Sequence, residues 1–156
     1  MKNKIFIFDL DDTLYKEIDF LYSAYREIAG WIELKFSLKG IYAFMLETYK
    51  EQVDVFSRLI DTYDLSLTKA DLLSIYRSHR PNIRLELDTL KALEVLKQDF
   101  ILGMITDGRS ITQRNKFQAL GLEQFIENEN LVISEEFGSE KPSERNFMFF
   151  QDKYAD

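Results

Sequence analysis

Residues 5–8 read IFIF and run straight into DLDDT, and this junction constrains the fold more than any other stretch of the chain. Ile5 to Phe8 alternates β-branched and aromatic residues, which suit a pleated strand. The run is apolar at every position rather than every second one, which predicts a strand covered on both faces in a parallel sheet. Asp9, Asp11 and Asp12 then arrive where the strand should emerge. If the backbone stays extended for two more residues, Asp9 and Asp11 share a face. Their Cα atoms would then lie about 6.6 Å apart. Two carboxylates at that range repel by roughly 2–3 kcal/mol at an effective dielectric near 20. A cation or a shared substrate is needed to relieve them.

After Leu14 the texture changes. Seven of the eight tyrosines fall between Tyr15 and Tyr76. Ile18, Leu21, Tyr22, Tyr25, Ile28, Ala29 and Ile32 recur at helical spacing. Ile41, Phe44, Met45, Tyr49, Val53, Phe56, Ile60 and Tyr63 continue the pattern beyond Gly40. A third segment opens at Thr68, with Asp71 placed for a capping box, and ends before Pro81. Residues 15–81 are therefore expected to form a helical insertion whose tyrosines pack its core.

From Asn82 helix and strand alternate. Asp88 is expected to cap a helix carrying Leu90, Leu93 and Leu96. Ile101 to Ile105 is a second buried strand, running into TDG. A helix over residues 111–120, capped by Ser110, stops at Gly121 in the usual place for a left-handed residue. Leu131 to Ile133 is a third strand, and Pro142 is expected in the first turn of a last helix. The whole predicts an α/β chain, with a Rossmann-like open parallel sheet core interrupted by an α-helical cap. Residues 1–14 and 82–156 would form the core and 15–81 the cap.

With 20 Lys and Arg against 27 Asp and Glu, the net charge of −7 argues against a general nucleic-acid binder. An anionic substrate remains open, because a bound metal can supply local positive charge. There is no cysteine, so thiolate chemistry is excluded. No apolar run reaches the length of a membrane helix, and the N-terminus lacks a signal-peptide pattern. We expect no membrane partner and a cytoplasmic location.

In open α/β sheets, ligands bind beyond the carboxyl ends of the strands. Asp9 and Asp11 follow the first strand, Thr106 the second, and Lys141 the third. DLDDT at 9–13, TDG at 106–108 and EKP at 140–142 together resemble the first three motifs of the haloacid dehalogenase-like superfamily. The insertion after the first motif resembles the cap of its phosphatase branches. The resemblance implies a magnesium-dependent phosphatase acting on a small phosphorylated metabolite. Asp9 would be the nucleophile and Asp11 the general acid and base. Thr106 would bond a phosphoryl oxygen, and Lys141 would neutralise charge on the transferring group. Mg2+ would be held by Asp9 and by Asp11 through its backbone carbonyl. Leu10 and Asp107, through their amides, with Gly108 and Arg109 would be further phosphate or substrate contacts. Asp12 and Thr13 are expected to shape the turn into the cap. Arg77, His79, Arg80 and Arg84 form a basic cluster where the cap returns to the core.

Rival readings are fewer. A dehalogenase lacks the second aspartate of DxD, and a receiver domain lacks the long insertion. A phosphomutase shares DxD and would differ only in its products. The resemblance also implies a fourth motif, a strand ending in acids of the kind GDxxxxD. The nearest candidate, FMFFQDKYAD, leaves only Pro142 to Asn146 after the EKP motif for a crossover that needs about a dozen residues, and Phe147, Phe150 and Tyr154 fit one helix face. The core is therefore expected to be C-terminally incomplete, leaving Ile5 to Phe8 as an apolar edge prone to self-association. A catalytically impaired member serving as a binding module is the corresponding alternative.

Overall fold

A computed structural model describes residues 4–154. Its elements run β1 (Ile5–Phe8), α1 (Glu17–Phe36), α2 (Ile41–Lys50), α3 (Val55–Thr62), α4 (Lys69–Ser78), α5 (Leu87–Asp99), β2 (Ile101–Thr106), α6 (Ser110–Ala119), β3 (Leu131–Ile133), α7 (Ser134–Phe137) and α8 (Glu144–Tyr154). The chain is α/β. Its strands form one parallel sheet in the order β1–β2–β3. It divides into two compact units: Leu21–His79 is one, and the chain up to Phe20 together with Arg80 onward is the other.

The Leu21–His79 unit is helical. Ile28, Ile32, Ile41, Met45, Leu59 and Leu72 are its fully buried centre. Tyr25, Tyr49, Phe56 and Tyr76 meet edge to face around that centre, and burial pushes the Tyr25 hydroxyl up to about 12. The tyrosines thus serve packing. The apolar rhythm from Ile41 to Tyr63 suggested one continuous helix, but the chain breaks between α2 and α3. Gln52 takes a φ of 58°, and Asp54 caps α3 by accepting from the N–H groups of Phe56 and Ser57. At α4 the capping box forms as expected, with Thr68 and Asp71 bonded reciprocally. His79 is 6 % exposed, and its Nδ1–H donates to the Tyr76 carbonyl at 2.8 Å. Its Nε2 lies 3.2 Å from Ser23 Oγ. The lone histidine is a packed structural residue of this unit.

In the other unit β2 is central, pairing Phe8 with Met104 through β1 and Thr106 with Ile133 through β3. Helix α8 lies on the sheet through Phe150, which is 1 % exposed. It can approach because position 103 is glycine: a Cβ there would sit 2.9 Å from Phe150 Cε1 and 3.1 Å from Ile5 Cδ1. FMFFQDKY is helix rather than strand, as its i, i+3, i+7 aromatic spacing requires.

Several local expectations need correcting. Strand β1 is not covered on both faces: it is an edge of the described sheet, and Phe6 is 42 % exposed beside Phe8 and Phe100. Helix α5 starts two residues earlier than its spacing suggested, with Glu86 at the cap and Asp88 inside the first turn. Ser110 does not cap α6; Arg109 holds that position, and the Ser110 N–H is taken by Glu135. Pro142 lies outside α8, in a turn closed by Ser143 N–H to Glu140 O, and the Lys141–Pro142 peptide is cis. Ser143 Oγ instead receives the N–H of Arg145 at the helix start.

Candidate active site

The candidate site grows from the turn after β1. Leu10 is fully buried between Asp9 and Asp11, which are both partly exposed. That alternation is the strand periodicity carried two residues past the strand. The Leu10 carbonyl then receives the N–H groups of Thr13 and Leu14. Asp12 adopts a φ of 55° and accepts the Glu17 N–H at 2.9 Å, so it tethers the start of α1. Asp12 and Thr13 build the turn, as their sequence position suggests.

Asp9 and Asp11 have separate partners. Lys141 Nζ donates to Asp9 Oδ1 at 2.5 Å and to the Ile105 carbonyl at 3.2 Å. The Asp107 carboxylate accepts the Lys141 backbone N–H at 3.1 Å, and its other oxygen lies 3.8 Å from Nζ. Two acids therefore flank one ammonium and hold it at the strand ends. Asp11 is engaged by a different set. Tyr15 O–H donates to Oδ1 at 2.6 Å, Lys116 Nζ to Oδ1 at 2.7 Å, and Gln113 Nε2 to Oδ2 at 2.9 Å. The repulsion anticipated between the two aspartates is met by one lysine for each. The Glu17 carboxyl senses the same charges: burial raises it first, Asp11 raises it further, and Lys116 opposes them.

Thr106 closes β2 at 1 % exposure, and Gln113 Nε2 donates to its hydroxyl oxygen. Asp9, Asp11, Thr106, Asp107 and Lys141 thus come together at the strand ends. Gly108 and Arg109 are drawn elsewhere. Gly108 N–H donates to Ser134 Oγ at 2.9 Å, and Arg109 pairs with Glu135 at 2.5 Å. Glu136 bonds Arg114 in a two-pronged pair and also accepts from the Ser110 hydroxyl. The Arg114 guanidinium holds its carboxyl below the usual range. Residues 134–136 therefore latch the start of α6. A cleft of about 520 Å³ opens beside this latch, lined by Gly108, Arg109, Ser134 and Glu135 rather than by Asp9 or Asp11.

Gln113, Lys116 and Tyr15 were not anticipated from the sequence. The available signal was helix α6 itself: its buried positions are Thr112, Gln113, Lys116 and Phe117, and three of these are polar. A buried polar face must find partners.

Magnesium takes hard oxygen ligands and is commonly held by one or two carboxylates with water and substrate phosphate. Among the described residues no three His, Cys, Asp or Glu side chains gather as a cage. The Asp9 carboxylate, 43 % exposed, retains an open side. The donor set suits a hydrated ion completed by a phosphate.

The family profile described as haloacid dehalogenase-like hydrolase matches residues 6–153. A glyceraldehyde 3-phosphate phosphatase of Methanocaldococcus jannaschii is 31% identical over 148 residues, covering 87% of this chain and 64% of the relative. The enzyme of the same name from Methanopyrus kandleri is 28% identical over 159 residues, covering 93% and 67%. The chain therefore spans about two thirds of the length of these relatives. Among solved structures, YfnB of Bacillus subtilis, assigned to the HAD hydrolases and bound to magnesium, matches with a TM-score of 0.63 at 20% identity. That match covers 96% of this chain and 72% of YfnB. Identity that low speaks for the fold alone. Among the described residues no helix is long and apolar enough to cross a membrane.

Proposed function

Because the chain belongs to the haloacid dehalogenase-like hydrolase family, we propose that it hydrolyses a small phosphate monoester through an aspartyl phosphate on Asp9. The observation that carries this reading is the unequal dressing of two neighbouring carboxylates. Asp9 has one ammonium, at 2.5 Å, and an exposed side, as an attacking group needs. Asp11 is held in one orientation by three donors, which positions it for proton transfer. An Asp9 oxygen attacks phosphorus, and the ester oxygen departs with a proton from Asp11. Asp11 then takes a proton from water, whose oxygen attacks phosphorus and frees the Asp9 carboxylate with inorganic phosphate. Lys141 offsets charge on the transferring group. Thr106 donates to a phosphoryl oxygen, with the backbone amides of Leu10 and Asp107 beside it. Magnesium, held by the Asp9 carboxylate and the Asp11 carbonyl, would supply further positive charge to those oxygens.

In this reading residues 1–14 and 82–156 carry the chemistry, and the 15–81 cap selects the substrate. The curated relatives are named for glyceraldehyde 3-phosphate, a three-carbon phosphate ester. A short phosphorylated sugar is accordingly the favoured substrate class. The test is release of inorganic phosphate from a panel of sugar phosphates, nucleotides and phosphoglycolate, with magnesium present. Release should be fastest with the short sugar phosphates. Phosphate migration within a sugar, without release, would point to a mutase instead. No reaction with any ester would overturn the proposal.

A further inference from the structure

A carboxylate offers about four acceptor positions, two on each oxygen. In Asp11 three are filled. Oδ1 receives both Tyr15 O–H and Lys116 Nζ, at 2.6 and 2.7 Å, while Oδ2 receives only Gln113 Nε2. Among the described residues nothing fills the second lone pair on Oδ2. The orientation of Gln113 follows from its neighbours, since a carboxylate can only accept and the amide nitrogen must face it. Its second N–H goes to Thr106 Oγ1. Thr106, accepting there, keeps its own hydrogen to donate. Lys116 lies one turn from Gln113 on α6, at a spacing that puts both on one helix face. It is 3 % exposed, with its ammonium 4.5 Å from the centre of the Phe20 ring. A buried ammonium is costly to desolvate and holds its place through its partner.

We infer that Gln113 and Lys116 are positioning residues for proton transfer: they aim the open Oδ2 lone pair of Asp11 at the ester oxygen and the Thr106 hydrogen at a phosphoryl oxygen. The inference rests on Asp11 being the acid and base. Neither residue touches the substrate. Their effect therefore depends on whether the leaving oxygen needs a proton. An alkoxide leaving group needs one, and p-nitrophenolate does not.

The test compares kcat/KM for a short sugar phosphate and for p-nitrophenyl phosphate, because kcat/KM reports the first phosphoryl transfer. Asp11→Asn is the reference, with Lys116→Met and Gln113→Met as the variants and thermal melting to confirm folding. Asp11→Asn should lose at least about 10²-fold on the sugar ester and far less on the aryl ester. Lys116→Met should reproduce that split in smaller measure, about tenfold or more. Gln113→Met should show the split on top of a loss on both esters, because Thr106 also depends on it. Should Lys116→Met fail to fold, Gln113→Met decides alone. Equal losses on both esters in the variants, with the split kept in Asp11→Asn, would overturn the inference and leave Asp11 in its role. No split in Asp11→Asn would overturn that role and the inference with it.

Discussion

Replacing Lys141 with methionine separates what this residue does for the fold from what it does for the reaction. Its ammonium is paired with Asp9 at 2.5 Å and with Asp107 at 3.8 Å. The side chains of Lys141, Asp9 and Asp107 are 28, 43 and 36 % exposed, so water screens both pairs. Pairs this accessible contribute roughly 0–1 kcal/mol each. Losing both should cost at most about 2 kcal/mol, a fall in Tm of about 8 °C or less for a chain of this size. Methionine keeps the length and most of the apolar stem, so little packing is lost. The transferring phosphoryl group, in contrast, loses a fixed positive charge at the strand ends. Removal of one such preorganised contact typically slows chemistry by about 10²–10³-fold. The assays are a melting curve and kcat/KM with a sugar phosphate, the latter well below the melting range. A variant that melts more than about 15 °C early, about twice the expected ceiling, would make Lys141 chiefly structural. A stable variant with unchanged kcat/KM would remove Lys141 from the mechanism.

Gly103→Ala should destabilise by about 1–3 kcal/mol, because the new methyl meets Phe150 at 2.9 Å in a closed layer; an unmoved denaturant midpoint would contradict the packing of α8 on β2. Glu136 has its folded pKa depressed below its ordinary 4.5, chiefly by the Arg114 hydrogen bond. Its stabilising contribution is therefore present above that ordinary value and fades as pH falls through the depressed one. The Tm difference between the unaltered chain and Glu136→Gln should be widest near neutrality and close in acid; a difference independent of pH would refute the latch.

The strands and the polar residues at their carboxyl ends were legible because their signals are local. IFIF before DLDDT, ILGMI before TDG, and LVI ahead of EKP each combine an apolar run with polar residues at its carboxyl end, and all three runs form strands. Helix α8 was separable from a strand by the spacing of Phe147, Phe150 and Tyr154. What escaped was contact between segments remote in sequence. Lys116 and Gln113 meet Asp11 more than a hundred residues away, and no spacing rule along one helix names a partner at that distance. The latch of Ser134, Glu135 and Glu136 on Gly108 to Arg114 was missed for the same reason. Caps shifted by two residues at α5 and by one at α6, because Glu86 and Asp88, or Arg109 and Ser110, lie within a single turn; at α6 a remote partner, Glu135, takes the Ser110 N–H.

The central claim is that Asp9 carries the phosphoryl group between ester and water. Its most direct test is to quench turnover with acid, digest the protein and locate the phosphoryl group by mass spectrometry. We predict the added phosphoryl group on the peptide containing residue 9, and none on any peptide of Asp9→Asn, which should also release no inorganic phosphate. A phosphoryl group on another residue, or turnover by Asp9→Asn at the rate of the unaltered chain, would contradict the account.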